Sequence, residues 1–356
     1  MKKLLIATAA LAMVAGTVQA QSSVTVYGAV GASNNSYKEN GADVAAQFQS
    51  RSQDFLGTTN LGFTGSEDIG GGNKVFFRLE GDLSMSGELG GGTATTTTTT
   101  TTAVGTGTPT AATYTSTSSS TTKQSTFNRH AHVGIETKEF GTFSAGRQND
   151  SIKDLEGLGQ VYNLSDNLHI NTQVGDRYAQ IYKYATPTFN GLKATYSYSN
   201  GAENTSNETV DGAKTLNSYA LSYVWKNYSF GVGKGTVTQV ATDDLETTFF
   251  GARATFGAVT VGAHYAQNEQ GVKKANQTMV SVNYNMGNID LKAHYVKDDA
   301  DGTAGLTKVD GDGYGLMAVY NLSKRTAAYV GYADYDKDGG NTGDQKVTTI
   351  GLFHKF

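Results

Sequence analysis

Apolar and polar residues alternate along most of this chain with a period of two. In SYALSYVW, Tyr219, Leu221, Tyr223 and Trp225 share one face, while Ser218, Ala220, Ser222 and Val224 share the other. IDLKAHYV sets Ile289, Leu291, Ala293 and Tyr295 against Asp290, Lys292, His294 and Val296, and GYGLMAVY, FFGARATF, LKATYSYS and AVTVGAHY repeat the pattern. Successive side chains of a strand point to opposite faces, so this period predicts strands with one apolar face each. The segments run about 8 to 10 residues, close to the 9 to 11 that a tilted strand needs to cross a bilayer. Sixteen can be placed, from 23–33 to 346–356.

The links between segments also alternate. Short ones at 225–228, 256–258, 285–288 and 321–326 follow long polar ones at 201–217, 298–312 and 336–345. Short turns at one rim and long loops at the other fit a membrane barrel better than a soluble sandwich. The expected fold is all-β: a 16-stranded antiparallel transmembrane β-barrel. An even strand number puts both ends on the short-turn side. Closure is required because lipid leaves an open sheet edge unsatisfied. Phe356, the last residue, shares its phase with Ile350 and Leu352 and is expected on the outward aromatic girdle, on the strand that pairs with the first.

Residues 1–20 read differently. Lys2 and Lys3 precede an apolar run from Leu4 to Ala15, and Val18 and Ala20 offer small residues for cleavage. This is the order of a secretory signal peptide, leaving a mature domain at 21–356. Removing the two lysines leaves 26 basic against 32 acidic residues, so nucleic acid is not an expected partner. There is no cysteine, hence no disulfide framework and no thiolate metal site. The 44 Gly, 20 Tyr and 15 Phe beside only 2 Pro suit a strand-built, aromatic-girdled wall. Residues 85–126 hold a Thr-rich low-complexity run that reads as disordered and exposed.

Five stretches carry a family resemblance: QSSVTVYGAVGAS, GFTGSEDIGGGNKVFFRLE, FNRHAHVGIETKEFGTFSAGRQ, DRYAQIYKYATPTFNGL, and NLSKRTAAYVGYADY with the terminal GLFHKF. In this order the chain resembles the general porins of Gram-negative outer membranes, especially their betaproteobacterial branch. The resemblance implies a homotrimer set in outer-membrane lipid and lipopolysaccharide. It also implies a water-filled pore for ions and small hydrophilic solutes, no cofactor, and a third external loop folded inward as a constriction. By order that loop is 150–176, with Asp150, Asp154, Glu156, Asp166 and Asp176.

The resemblance further implies basic residues on the facing wall. Arg129 and Arg177 fall on two of its motif positions, and Asn60 stands where a third arginine is usual. Alternation points Arg177 and Lys183 inward, opposite Tyr182 and Tyr184, and groups Arg78, Glu80 and Asp82 against Phe77 and Leu79. Arg129 is in phase with Val133 and Ile135, so period alone turns it toward lipid while the resemblance puts it on the wall. Arg147 shares phase with Phe143 and Ala145 and is expected beyond the bilayer belt. Wall candidates are thus Arg78, Arg129, Arg147, Arg177, Lys183 and Asn60. Asn60 and five loop acids predict weak or cation-leaning selectivity.

Other signals carry less. The acidic stretches KDDADGTAG, DGDG and YDKDGGNTGD lack the spacing and closing Glu of an EF-hand and read as solvated loops. His130 and His132 share a strand face without a further metal-ligand spacing, so no metal is expected. An outer-membrane lipase would need a Ser–His constellation that is not evident. A substrate-specific pore and an adhesin or structural barrel with a plugged lumen remain as alternatives.

Overall fold

Strands form wherever the two-residue period runs. The computed structural model describes residues 23–39, 41–49, 56–84, 89, 93–104, 112–123, 126–160, 172, 174–201, 214–239, 242–300, 310–337 and 345–356, with backbone alone at 39, 44–49, 93–104 and 112–123. The segment at 1–20 and Asp166 therefore lie outside the described residues. The first half contains β1 (Ser23–Glu39), β2 (Ala42–Gln49), β3 (Asn60–Gly70), β4 (Asn73–Asp82), β5 (Thr93–Val104), β6 (Ala112–Lys123), β7 (His130–Thr137), β8 (Gly141–Asn149), β9 (Arg177–Ala185) and β10 (Leu192–Ser199). The second half contains β11 (Lys214–Trp225), β12 (Tyr228–Gln239), β13 (Leu245–Phe256), β14 (Val259–Gln270), β15 (Lys273–Met286), β16 (Ile289–Ala300), β17 (Gly311–Asn321), β18 (Thr326–Lys337) and β19 (Gln345–Lys355).

All pairings are antiparallel, and β1 joins β19 from Ala29↔Lys355 to Glu39↔Gln345, closing the cylinder. The other edge of β1 pairs with β3 through Ser23↔Ser66 to Ala29↔Asn60, then with β2 through Ser33↔Gln49 to Glu39↔Ala42. Together β2 and β3 occupy one stave, so the wall has sixteen. The segment 42–49 lies outside the sixteen stretches picked out by alternation and continues the β3 stave along β1. At the seam, the Phe356 N–H donates to Gly28 O at 3.0 Å and the Gly28 N–H to Phe356 O at 3.2 Å.

The faces sort as the alternation requires. Tyr219, Trp225, Phe250 and Tyr295 are exposed on the outside, whereas Ser218 and Thr247 are fully buried on the inside. Phe356 is 44% exposed, on the outward side with Ile350 and Leu352. The buried apolar cluster runs from the inward loop round to Met317, Tyr329, Val347 and Phe353 near the seam. Ile152, Leu155 and Val174, between β8 and β9, pack with Ile181, Leu216, Val237, Phe249 and Met279 of the wall.

Two expectations are corrected. The Thr-rich run does not stand without structure: β5 and β6 pair from Thr93↔Lys123 to Val104↔Ala112 as a separate two-stranded ladder. Threonine is β-branched and favours extended backbone even where no apolar alternation marks a strand. Not every outer link is long, either. β14 and β15 join through Gly271–Val272 alone, a tight turn in which Gly271 takes φ +60°.

Candidate functional site

The inner wall of β4 sets up the charged part of the lumen. Its register puts Glu80 opposite Gly62 of β3 and His130 of β7, and Gly62 in turn opposite Tyr27 of β1. Gly62 leaves the room that the Tyr27 ring fills. Tyr27 Oη then donates to Glu80 Oε2 at 2.7 Å and accepts from Arg78 Nε at 2.8 Å. Arg78 Nη2 donates to Glu80 Oε2 at 2.6 Å, and Arg129 Nε to Glu80 Oε1 at 2.6 Å. Arg129 Nη1 continues the row to Asp82 Oδ1 at 3.1 Å, and Asn128 Nδ2 bonds Asp82 Oδ2 at 2.8 Å. Glu80, only 1% exposed, thus stands between two guanidiniums, and a buried carboxylate needs such partners to remain ionised.

Arg129 is therefore lumenal although its phase with Val133 and Ile135 points the other way. The ladder of β7 begins at His130, and Arg129 precedes it in a bend, where the strand period does not apply. Arg147 also departs from its expected place. The register of β8 against β9 shifts between Gly146 and Gln148, with Gly146 at φ +124°, and Arg147 Nε donates to the Asn128 carbonyl beside the Arg129–Asp82 pair. A β-bulge resets the phase of one residue, which no count of alternation from Phe143 can anticipate.

Arg177 opens β9 opposite Asn149, its backbone N–H held by Asp176 Oδ1 at 2.7 Å, within the electrostatic reach of Arg129, Asp82 and Glu80. Asn60 opens β3 opposite Asp82, so a neutral amide occupies the stave position next to that carboxylate. Lys183 lies lower on β9. It forms an ion pair with Asp154 and donates to the Asn149 carbonyl at 3.1 Å. Lys183 thereby ties the inward loop to the wall.

The loop after β8 turns into the barrel and makes a two-turn 3-10 helix, Lys153–Leu158. It seats on a wall smoothed by glycine. A Cβ at Gly231 would meet Leu158 and Leu155 at 2.5 and 2.8 Å, one at Gly235 would meet Val174 and Ile152 at 2.6 and 2.8 Å, and one at Gly262 would meet the Gly159 and Leu158 carbonyls at 2.7 Å. Polar contacts also pin the seat. Ser151 N–H donates to Ser218 Oγ at 3.1 Å, Val174 N–H to Thr247 Oγ1 at 3.0 Å, Ser281 Oγ to Gly159 O at 2.5 Å, and Arg253 Nη2 to Gln160 O at 3.1 Å.

The loop acids divide. Asp154 is exposed to the lumen. Glu156 is paired with Lys153 at 2.8 Å and accepts from Thr172 Oγ1 at 2.7 Å; burial pushes its pKa up, and those two partners oppose the push. Asp176 anchors the loop base by accepting the Asp150 N–H at its carbonyl, 3.0 Å. Asp150, expected among the pore-lining acids, is instead fully buried. Its Oδ1 accepts the Lys153 N–H at 2.8 Å, which holds the turn leading into the short helix, and burial raises its pKa well above the ordinary carboxylate range despite that bond. Sequence order placed Asp150 in the loop, but only packing shows that it lies beneath it.

Tyr27, Glu80, Asp82 and Arg253 were absent from the sequence-derived site. Glu80 and Asp82 carried a signal, since they alternate in phase with Arg78 on β4. Tyr27 and Arg253 lie far from these residues along the chain and join the site only through register and loop docking.

Comparison with known proteins supports the same frame. A profile of the Gram-negative porin family matches residues 7–340. The chain is 26% identical to the major outer membrane protein P.IB of Neisseria meningitidis over the whole of both chains. It is 28% identical to outer membrane porin protein 32 of Delftia acidovorans, covering 92% of this chain and 88% of that one. Among solved structures, the anion-selective porin from Comamonas acidovorans superposes with a TM-score of 0.67 at 20% identity, covering 94% of this chain and 100% of that one.

Proposed function

This chain belongs to the Gram-negative porin family and resides in the outer membrane, and from that premise we propose that it is a general diffusion channel with weak or cation-leaning selectivity. A pore of this kind performs no bond chemistry. Its filter is the set of charged rings and the width they leave. Solutes cross because the lumen exchanges their hydration for wall hydrogen bonds, and apolar molecules are disfavoured because they cannot make that exchange. We further propose that it works as a homotrimer surrounded by lipid and lipopolysaccharide; a trimer form is described for the structurally similar OmpT of Vibrio cholerae.

The observation that carries the selectivity reading is the position of Glu80. Arg78 and Arg129 would make a cationic rung, but the carboxylate between them cancels much of their field, and Asp82 takes the second arm of Arg129. Asn60 adds no charge to this rung, Arg147 and Arg177 add positive charge beside it, and the Asp154 acid of the inward loop is balanced by Lys183. The partial cancellation of the wall arginines by Glu80 and Asp82 is the feature proposed to set this pore apart from the anion-selective porin from Comamonas acidovorans.

Reversal potentials across a KCl gradient in planar bilayers test the proposal. A value near zero or on the cation side is expected, and a clear anion preference overturns it. Neutralising the carboxylate should move the potential toward anions. A unit charge ~5 Å from a passing ion in water is worth ~0.8 kcal/mol, so Glu80→Gln should change the relative permeability about three- to fourfold at low salt.

A further inference from the structure

Below the charged rung, toward the short-turn rim, the inner faces of β1, β3, β4 and β7 enclose a cavity of about 320 Å3. The register makes its composition explicit. One row across the four strands is Thr25, Thr64, Arg78 and His132; the next row down is Ser23, Ser66, Phe76 and Gly134. Because Arg78 faces the lumen in its bond to Tyr27, every residue of these rows faces it too. Phe76 leans across Gly134, which has no side chain to displace it, and its edge-to-face partner is His132 at 6.2 Å. At the floor, Lys74 and Glu136 form an exposed ion pair at 3.1 Å.

We propose that this vestibule is a subsite for a neutral cyclic polyol, a monosaccharide-sized ring entering or leaving the constriction. A sugar presents an apolar C–H face and a rim of hydroxyls, and the site offers the complement to both. The half-buried Phe76 ring takes the C–H face. The hydroxyls of Ser23, Thr25 and Ser66 can both donate and accept, while Thr64 Oγ1 donates its proton to the Phe77 carbonyl at 3.1 Å and offers an acceptor; together they suit a ligand whose own hydroxyls do both. Lys74 and Glu136 add one charged donor and one charged acceptor at the edge. A single ion gains little here, because the two charges of the floor pair neutralise one another. The volume lies at the lower end of the range for small-molecule sites, which suits one ring rather than an oligomer. Two residues of β4 separate Phe76 from Arg78 at the lower edge of the filter, and four, ~14 Å of strand at ~3.4 Å per residue, separate it from Glu80, so a bound ring waits just below the filter.

The inference rests on the channel reading above, and D-glucose tests it in planar bilayers with the full-length protein. Single-channel current in constant KCl is recorded as glucose is added to the short-turn side, with glycerol at matched viscosity as the acyclic control. Glucose should lower the current along a saturating curve while glycerol lowers it linearly. Phe76→Leu, which keeps apolar volume over Gly134, should weaken the half-saturating concentration by about threefold or more, the worth of an aromatic face contact. Phe76→Tyr should restore it, and Thr64→Val should weaken it independently. Linear, viscosity-like behaviour for glucose in the wild type, or equal saturation in Phe76→Leu, overturns the subsite. Absence of salt conductance altogether would instead overturn the channel reading.

Discussion

At the scale of single residues, the pore depends on a few side chains whose charge is set by their neighbours. Glu80 is the clearest: three donors converge on it, and removing one partner of such a buried ion pair typically costs ~3–5 kcal/mol. Arg129→Gln should therefore both destabilise the fold and push reversal potentials further toward cations, whereas Arg78, more exposed, should affect selectivity with a smaller stability cost. Thermal unfolding in detergent beside bilayer recordings separates the two effects.

Asp150 yields a prediction of a different kind. Its folded-state pKa is raised by burial, so this group favours folding below its unfolded pKa of about 3.9 and opposes it as pH climbs through the raised value. Asp150→Asn keeps an acceptor for the Lys153 N–H without burying a charge. The variant should match or exceed the wild type in thermal midpoint at about pH 8, and the loss of stability from about pH 4 upward should shrink, with the remaining dependence partly due to Glu156. A uniform drop at every pH would show that the carboxylate itself is required. Asp154 and Asp150 are four residues apart in one acidic loop, and nothing in that local sequence separates the exposed acid from the buried one.

At the scale of elements, the informative contact is between the inward loop and the glycine-smoothed wall. A side chain at Gly262 would strike backbone carbonyls rather than flexible side-chain ends, so the loop would have to lift. Gly262→Val is expected to cost ~1–3 kcal/mol and to give larger, noisier single-channel currents. Lys183→Met, which breaks the tie to Asp154, should raise the noise with less effect on stability.

The seam between β1 and β19 is equally exacting. A Cβ at Gly28 would lie 2.5 Å from the Asn60 carbonyl and 2.6 Å from the Phe356 ring. Gly28→Val should therefore prevent closure, read as loss of the heat-sensitive compact form on gel electrophoresis, while the same change at Gly257, where a Cβ meets nothing, should be limited to turn strain. The staves themselves were legible from alternation, since a face turned to lipid must be apolar at every second position. The stave shared by β2 and β3 was half legible, because the break between its two halves shows only in their common pairing with β1.

At the scale of the whole molecule, the inward loop is docked on the closed sheet, whereas among the described residues the β5–β6 ladder pairs with no stave. Deleting 93–123 is therefore expected to leave conductance and selectivity unchanged, with single-channel recording as the check. The trimer proposed here predicts current steps in groups of three. Steps that occur only singly would count against it.

What the chain alone determined was everything that a solvent boundary writes into each residue in turn. A strand between lipid and water must alternate and a lipid-bound sheet must close, so barrel, strand number and location followed from local pattern. What only the tertiary structure decided was which charges meet. Glu80 between Arg78 and Arg129, Arg147 rephased by the Gly146 bulge, Asp150 beneath its loop, and Phe76 beside four hydroxyls all depend on register between strands distant in sequence. Pairing register and loop docking are collective outcomes, set by the sum of many backbone bonds and close contacts, and no single stretch of sequence encodes them.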